Sequence, residues 1–202
     1  MLARLSRWFG IKVYYVYKRP LSAEQDVPGR LDEGYRIQLM TEHDLARYAD
    51  DPDLRLRSDF ISAAARRGDL CFGILYREQL VGYRWVSLSG CSPGEKQMFI
   101  CYAHPQRSYS YKGFTHPDHR GKRLLLHSTA FADAYLLRNG YTESVAYTET
   151  HNFASLKHAS RLRGVAPIGL VVSIRVLGRR VFFNSPGMAR NGVSIAAHQL
   201  KR

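Results

Sequence analysis

Apolar and polar residues alternate over 35–40 (YRIQLM), 109–115 and 143–150, the period of a strand with one buried face. Two further apolar runs, 70–76 and 79–88, flank Arg77-Glu78 and predict a hairpin. A second pair, 168–176 and 179–183, is rich in β-branched residues and turns at Leu177-Gly178. Turn chemistry fills 89–94, and 98–102 predicts either another strand or part of an insertion reaching Arg107. Elsewhere the period lengthens. Thr41 stands three residues before Asp44, a capping box ahead of Leu45, Tyr48 and Ala49. Asp51-Pro52 opens a second helix carrying Leu54, Phe60, Ile61, Ala64 and Ala65, and Gly68 ends it. Leu124, Phe131 and Tyr135 share one side of a longer helix stopped by Asn139-Gly140. Asn152 caps a short helix running to Leu162, with Gly164 at its exit.

The first 30 residues follow this grammar least. Leu2, Leu5, Trp8 and Phe9 make one face of a short helix with Arg4 and Arg7 elsewhere on its surface. Such a helix docks on its own domain more often than on an anionic membrane. Residues 13–17 are strand-like, and Pro20 and Pro28-Gly29 bound a loop. The expected organisation is an N-terminal basic extension over 1–30 and a single domain over 31–202.

Composition narrows the class. A chain of 202 residues with 45% hydrophobic and 12% aromatic content builds one core and is not a disordered chain. No apolar run reaches the roughly 20 residues that span a bilayer. The start reads as too short and too basic for a signal peptide, and three cysteines without C-x-x-C spacing argue against a disulfide framework or a cysteine-rich zinc site. The expected compartment is the cytoplasm, with peripheral contact at the inner face of the membrane as an extension of that reading. The formal charge is +13, and no acid follows Glu149. That imbalance points to an acidic partner: a polyphosphate cofactor, an acidic protein, anionic lipid or nucleic acid.

The stretch 114–140 organises the chain. Phe114 and Thr115 end a strand, Pro117 stops its ladder, and His119, Arg120, Gly121, Lys122 and Arg123 make a tight basic turn before the helix starting at Leu124. The first N–H groups of such a helix lack partners and favour an anion, and the arginines and lysine add charge there. The plain alternative is a solvated surface turn. The run resembles motif A of the GNAT acyltransferases, a strand, V-x-P and then R/Q-x-x-G-x-G/A opening a helix. FTHP stands for the first part and Arg120-Gly121-Lys122-Arg123-Leu124-Leu125 for the second, with Arg123 and Leu125 where the family has glycine or alanine. The order of elements over residues 35 to 185 resembles the family as well. The resemblance implies an α/β (α+β) fold with a mixed, mostly antiparallel central sheet flanked by helices. It also implies that Phe114, Thr115, the turn and Leu124 hold the pyrophosphate of acetyl-CoA or a longer acyl-CoA. The pantetheine arm would then lie between 109–115 and 143–150.

Asn152 and Ser155 match the family's N-x-x-A/S pattern beside that arm, although a helix cap with a small packing residue reads equally well. The family's usual acid is a tyrosine seven residues after the asparagine; here the position is Ala159, preceded by His158. The catalytic candidates are therefore His158, and Glu149 and His151 at the end of the strand, with Tyr109, Tyr111 and Tyr147 as alternative proton donors. His116 and His119 lack the carboxylates of a metal site. The implied activity is transfer of an acyl group from acyl-CoA to the primary amine of a small molecule or protein. Two alternatives remain: an enzyme fed by acyl carrier protein, and a non-catalytic binder of nucleic acid or anionic membrane.

Overall fold

The computed structural model describes residues 10–22, 29–93, 98–102 and 105–197. Its strands are β1 (Lys12–Pro20), β2 (Tyr35–Met40), β3 (Leu70–Tyr76), β4 (Gln79–Ser87), β5 (Cys91–Pro93), β6 (Met98–Tyr102), β7 (Arg107–Thr115), β8 (Glu143–Glu149), β9 (Ala166–Val176), β10 (Arg179–Asn184) and β11 (Val193–Ala197). The helices are α1 (Glu42–Ala46), α2 (Ser58–Arg66), α3 (Leu124–Arg138), α4 (Phe153–Ala159) and α5 (Pro186–Arg190). An eight-stranded sheet runs β10-β9-β1-β8-β7-β4-β3-β2, and β11-β6-β5 form a smaller sheet. Within the large sheet β7 and β8 pair in parallel, while the other neighbours are antiparallel.

Alternation along β4 decides which helices cover which face. Tyr83 and Trp85 pack with Leu45 of α1, Leu54 and Ile61 of α2. Val86, on the opposite face, packs with Phe72 of β3 and with Ala132 and Leu136 of α3. Ala159 of α4 packs against Tyr17 of β1 and Ala146 of β8 on that same face. The sheet is thus a wall with α1 and α2 on one side and α3 and α4 on the other.

Several expectations need correction. Residues 12–20, placed within the N-terminal extension, belong instead to the domain's central sheet: β1 is hydrogen-bonded on both edges, to β8 and β9. A strand paired on both sides has no free edge, and Val16 at its centre is fully buried. The proposed amphipathic face of Leu2, Leu5, Trp8 and Phe9 lies outside the described residues. The helix expected from Pro52 starts at Ser58, because Asp50 (φ 63°) and Arg55 (φ 53°) take left-handed angles that a helix cannot continue through. Phe131 is 38% exposed; α3 faces the sheet instead with Leu124, Leu126, Ala132 and Leu136. The stretch read as turn contains β5, and 193–197 adds β11 on the other edge of β6.

Cys101 is disulfide-bonded, and its register neighbour across the β5–β6 ladder is Cys91. Antiparallel pairing brings together positions that spacing along the chain does not relate. The compartment expected from reduced cysteines loses that support. Cys71 is free and buried. Among the described residues, no helix is long and apolar enough to cross a membrane.

Candidate functional site

The wall has one fault. β7 and β8 share register only at Arg107–Glu143, Ser108–Ser144 and Tyr109–Val145, and beyond these pairs they diverge. The cause lies on the other edge of β7. Between Trp85 and Val86 of β4 the partner jumps from Lys112 to Ser110, so Tyr111 is an extra residue in the ladder. Such a bulge bends its strand and re-aims the side chains around it. The facing edges of β7 and β8 past the bulge therefore carry backbone groups without a strand between them. A cavity of ≈ 620 Å³ opens there.

The end of β7 and the start of α3 form the open mouth. The His116 N–H donates to Val81 O at 2.8 Å, and a 3-10 turn over Pro117–His119 follows. Gly121 (φ 82°) and Arg123 (φ 57°) both adopt left-handed conformations. No described hydrogen bond uses the N–H groups of Gly121 through Leu125. They head a fifteen-residue helix, so their partial positive charge and the helix dipole add. Of the residues expected to hold the cofactor, Phe114, Thr115, His119, Arg120, Gly121, Arg123 and Leu124 line the cavity. Arg120 Nε donates to Thr115 O at 3.2 Å, which folds its side chain back over the turn. His119 is held by Tyr35, whose hydroxyl lies 2.7 Å from Nδ1. Its pKa is lowered, first by burial and then by His116. Lys122 does not reach the cavity; its Nζ lies 3.9 Å from Asp32 and over the Tyr35 ring.

The opposite wall comes from β8 and α4. Asn152 caps α4, its Oδ1 accepting the Ser155 N–H at 3.1 Å, and both residues line the cavity. The cap reading of Asn152 therefore holds, and the capped turn forms part of the cavity wall. His158 also lines it, but Nε2 lies 3.0 Å from Arg84 Nη2, and only a neutral imidazole with its proton on Nδ1 accepts that bond. Burial, then Arg84, Arg19 and Arg161, push the His158 pKa down to about 3. A ring so weakly basic, with its free lone pair already used, is poorly suited to take a proton from an amine. Glu149 and His151 are not brought to the cleft. Glu149 turns to Lys12 Nζ at 2.9 Å, because β1 occupies the strand position beside it, and His151 is exposed in the following turn.

Of the tyrosines, Tyr111 and Tyr147 line the cavity, whereas Tyr109 is fully buried beneath it. The Tyr111 hydroxyl donates to Asp69 Oδ2 at 2.9 Å, and burial and that carboxylate raise its pKa. Sequence reasoning missed Lys112 and Arg84. Lys112 follows the bulge, donates to Arg55 O at 3.1 Å and lies 4.0 Å from the Phe60 ring centre; burial lowers its pKa. Arg84 sits in the middle of the apolar run 79–88, and a charge inside a strand otherwise buried on both faces was the available signal. Arg19, Arg55, Arg84, Lys112, Arg120, Arg123 and Arg161 all line the cavity, and among the described lining residues there is no aspartate or glutamate.

The fold recurs in solved structures. The tandem GNAT protein of the clavulanic acid biosynthesis pathway superposes with a TM-score of 0.55 over 82% of this chain, at 16% identity. The fold is that of the GNAT acetyltransferases. A GNAT-family acetyltransferase from Colwellia psychrerythraea gives a TM-score of 0.55 over 81% of the chain at 14% identity. A conserved protein of unknown function from Staphylococcus epidermidis gives 0.55 over 86% at 11% identity. The chain spans 58%, 65% and 55% of the clavulanic-acid, Staphylococcus and Colwellia chains respectively. No family model and no curated protein matches the sequence. Within the GNAT fold, the cleft between β7 and β8 and the turn before α3 are where the sequence resemblance had located them.

Proposed function

We propose that the protein is an acyl-CoA-dependent N-acyltransferase. The observation that carries this reading is the split between β7 and β8, with the unpartnered N–H groups of Gly121 to Leu125 at its mouth. Those N–H groups, with Arg120 and Arg123, form a cradle for a pyrophosphate. The free edges of β7 and β8 offer donors and acceptors to the amides of a pantetheine arm, which adds to them as a short strand would. Asn152 and Ser155 flank that arm from the β8 side. Acyl-CoA supplies an activated thioester carbonyl, with acetyl or a longer chain as the acyl group.

The chain's own residues then have two tasks. They hold the acceptor amine against the bulge at Tyr111 and Lys112, and they move a proton. With no aspartate or glutamate among the described lining residues, the amine must arrive neutral or lose its proton to water. Tyr147 borders the same region, whereas the Tyr111 hydroxyl is already committed to Asp69. A cavity lined by cations disfavours polycationic acceptors, so the acceptor carries a single amine and little other positive charge.

Calorimetric titration with CoA, acetyl-CoA and a long-chain acyl-CoA tests the cradle. Gly121 sits at φ 82° with open space where a Cβ would go, so Gly121→Val disturbs the turn through its backbone angle alone. The expected result is saturable binding to the wild type that weakens at least tenfold in the variant, at a stability cost of about 1–2 kcal/mol. Undiminished binding in a folded Gly121→Val protein would remove the turn as the anion site.

A further inference from the structure

Arg120 and Arg123 belong to the mouth of the cleft, beyond the last residue of β7. A second group of cations lies deeper in the cleft, and the pyrophosphate cradle leaves it without a role. Arg84 is its centre. The Arg84 backbone sits opposite Gly113, past the bulge, and its guanidinium reaches back to Ser110, one residue beyond the last β7–β8 pair. Nη1 donates to Ser110 Oγ at 2.9 Å and Nη2 to His158 Nε2 at 3.0 Å, and both partners are neutral. Nε is buried without a hydrogen-bond partner, and the residue as a whole is 8% exposed. The neighbouring buried cation, Arg19, is matched by Asp133 through Nη1–Oδ2 at 2.5 Å and Nη2–Oδ1 at 2.7 Å. Arg84 has no such carboxylate among the described ion pairs. Burial and then Arg19 push its pKa down, to about 10, which leaves it charged at neutral pH. A buried ion without a counter-ion costs several kcal/mol. A fold that keeps one on the wall of an acid-free cavity has a place for an anion that comes from outside.

The charge balance sets the kind of anion. Arg19 and Asp133 cancel, so Arg84 leaves one positive charge to be met, with Arg161 at the rim. A guanidinium fork with free N–H groups matches a planar carboxylate. We propose that this deeper part of the cleft is a carboxylate-binding subsite centred on Arg84, with Ser110 and His158 orienting the guanidinium. The inference rests on the acyl-CoA reading for what carries the carboxylate. It is either the free end of a dicarboxylic acyl group or the carboxylate of an amino-acid acceptor.

The test is calorimetry on the full chain with CoA, acetyl-CoA and succinyl-CoA, then with glycine or glutamate added to CoA-saturated protein. If the acyl group brings the carboxylate, succinyl-CoA binds about tenfold or more tightly than acetyl-CoA. Arg84→Met abolishes that margin and leaves CoA affinity unchanged. If the acceptor brings it, the two thioesters bind alike, and the amino acid binds the CoA-saturated wild type but not the variant. Methionine replaces the buried ion with an apolar chain, a change that folds usually tolerate. Arg84→Lys keeps the charge without the fork and serves if the first variant fails to fold, with the same loss expected. Carboxylate binding also raises the pKa of His158, which the imidazole proton signals read directly. Carboxylate affinities that do not depend on residue 84, with no movement of His158, overturn the subsite. Failure of every CoA compound to bind, with succinate or an amino acid still binding through Arg84, would instead remove the acyl-CoA reading and leave the subsite standing.

Discussion

At position 123 an arginine holds a left-handed backbone (φ 57°) immediately before α3. For an L-residue that conformation costs about 1–2 kcal/mol, and the turn keeps it because the helix must start at Leu124 with its N–H groups turned to the cleft. Glycine is the residue the geometry favours there, so the arginine contributes charge at the expense of local stability. Leu125 needs no such freedom, being already helical, and its side chain packs near Gly113. His158 is the residue through which pH reaches the fold. In the native protein it takes up a proton only near pH 3, whereas an unfolded imidazole does so near 6.5. Between those values the unfolded state binds the extra proton, so stability falls as pH drops from about 6.5 toward 3 and is unaffected above. Urea melts at pH 7.5 and 4.5 should show this loss, and His158→Gln should show a smaller one. An equal loss in the variant would assign the acid sensitivity to other groups.

At the scale of elements, β1 and α3 are fastened together by residues 114 positions apart in the sequence. Arg19 of β1 is 4% exposed and Asp133 of α3 is 1% exposed, and Ser22 N also donates to the carboxylate at 3.3 Å. Two-point pairing with a fixed fork fixes the helix axis relative to the strand, and so fixes where α3 presents its first turn. Asp133→Asn leaves Arg19 buried and uncompensated, and the expected destabilisation is about 3–5 kcal/mol. Chemical denaturation measures it; a loss below 1 kcal/mol would mean that water reaches Arg19. β7 is the other decisive element. Its single extra residue, Tyr111, separates a continuous sheet from one with a cleft.

For the whole molecule, the net charge is +13, and the cleft is lined by seven of its arginines and lysines with no aspartate or glutamate among the described lining residues. A cavity walled by cations draws in anions and raises their encounter rate, and added salt screens it, since the Debye length shrinks from about 30 Å at 0.01 M to about 8 Å at 0.15 M. Acyl-CoA association is therefore expected to slow by several-fold or more between 0.02 and 0.3 M salt in stopped-flow measurements, with a much smaller change in dissociation. A salt-independent association rate would separate the charge from ligand capture.

Much of this architecture is local in origin and was legible along the chain. Alternation located β2, β7 and β8 and apolar runs located β3 and β4, each within about two residues, Thr41 and Asp44 form the capping box read from their spacing, and the turn at Gly121 lies at the mouth of the cleft. Short-range geometry determines these features: a strand's period, a cap's reach and the angles glycine allows. The rest depended on which strands pair, and pairing is a property of the closed sheet. It put 12–20 between β8 and β9 and turned Glu149 toward Lys12. It also set Cys101 across from Cys91, and bulged Tyr111 so that β7 leaves β8. Above all it placed Arg84, which the sequence shows only as a charge in an apolar run, on the wall of a cavity that exists because two strands part.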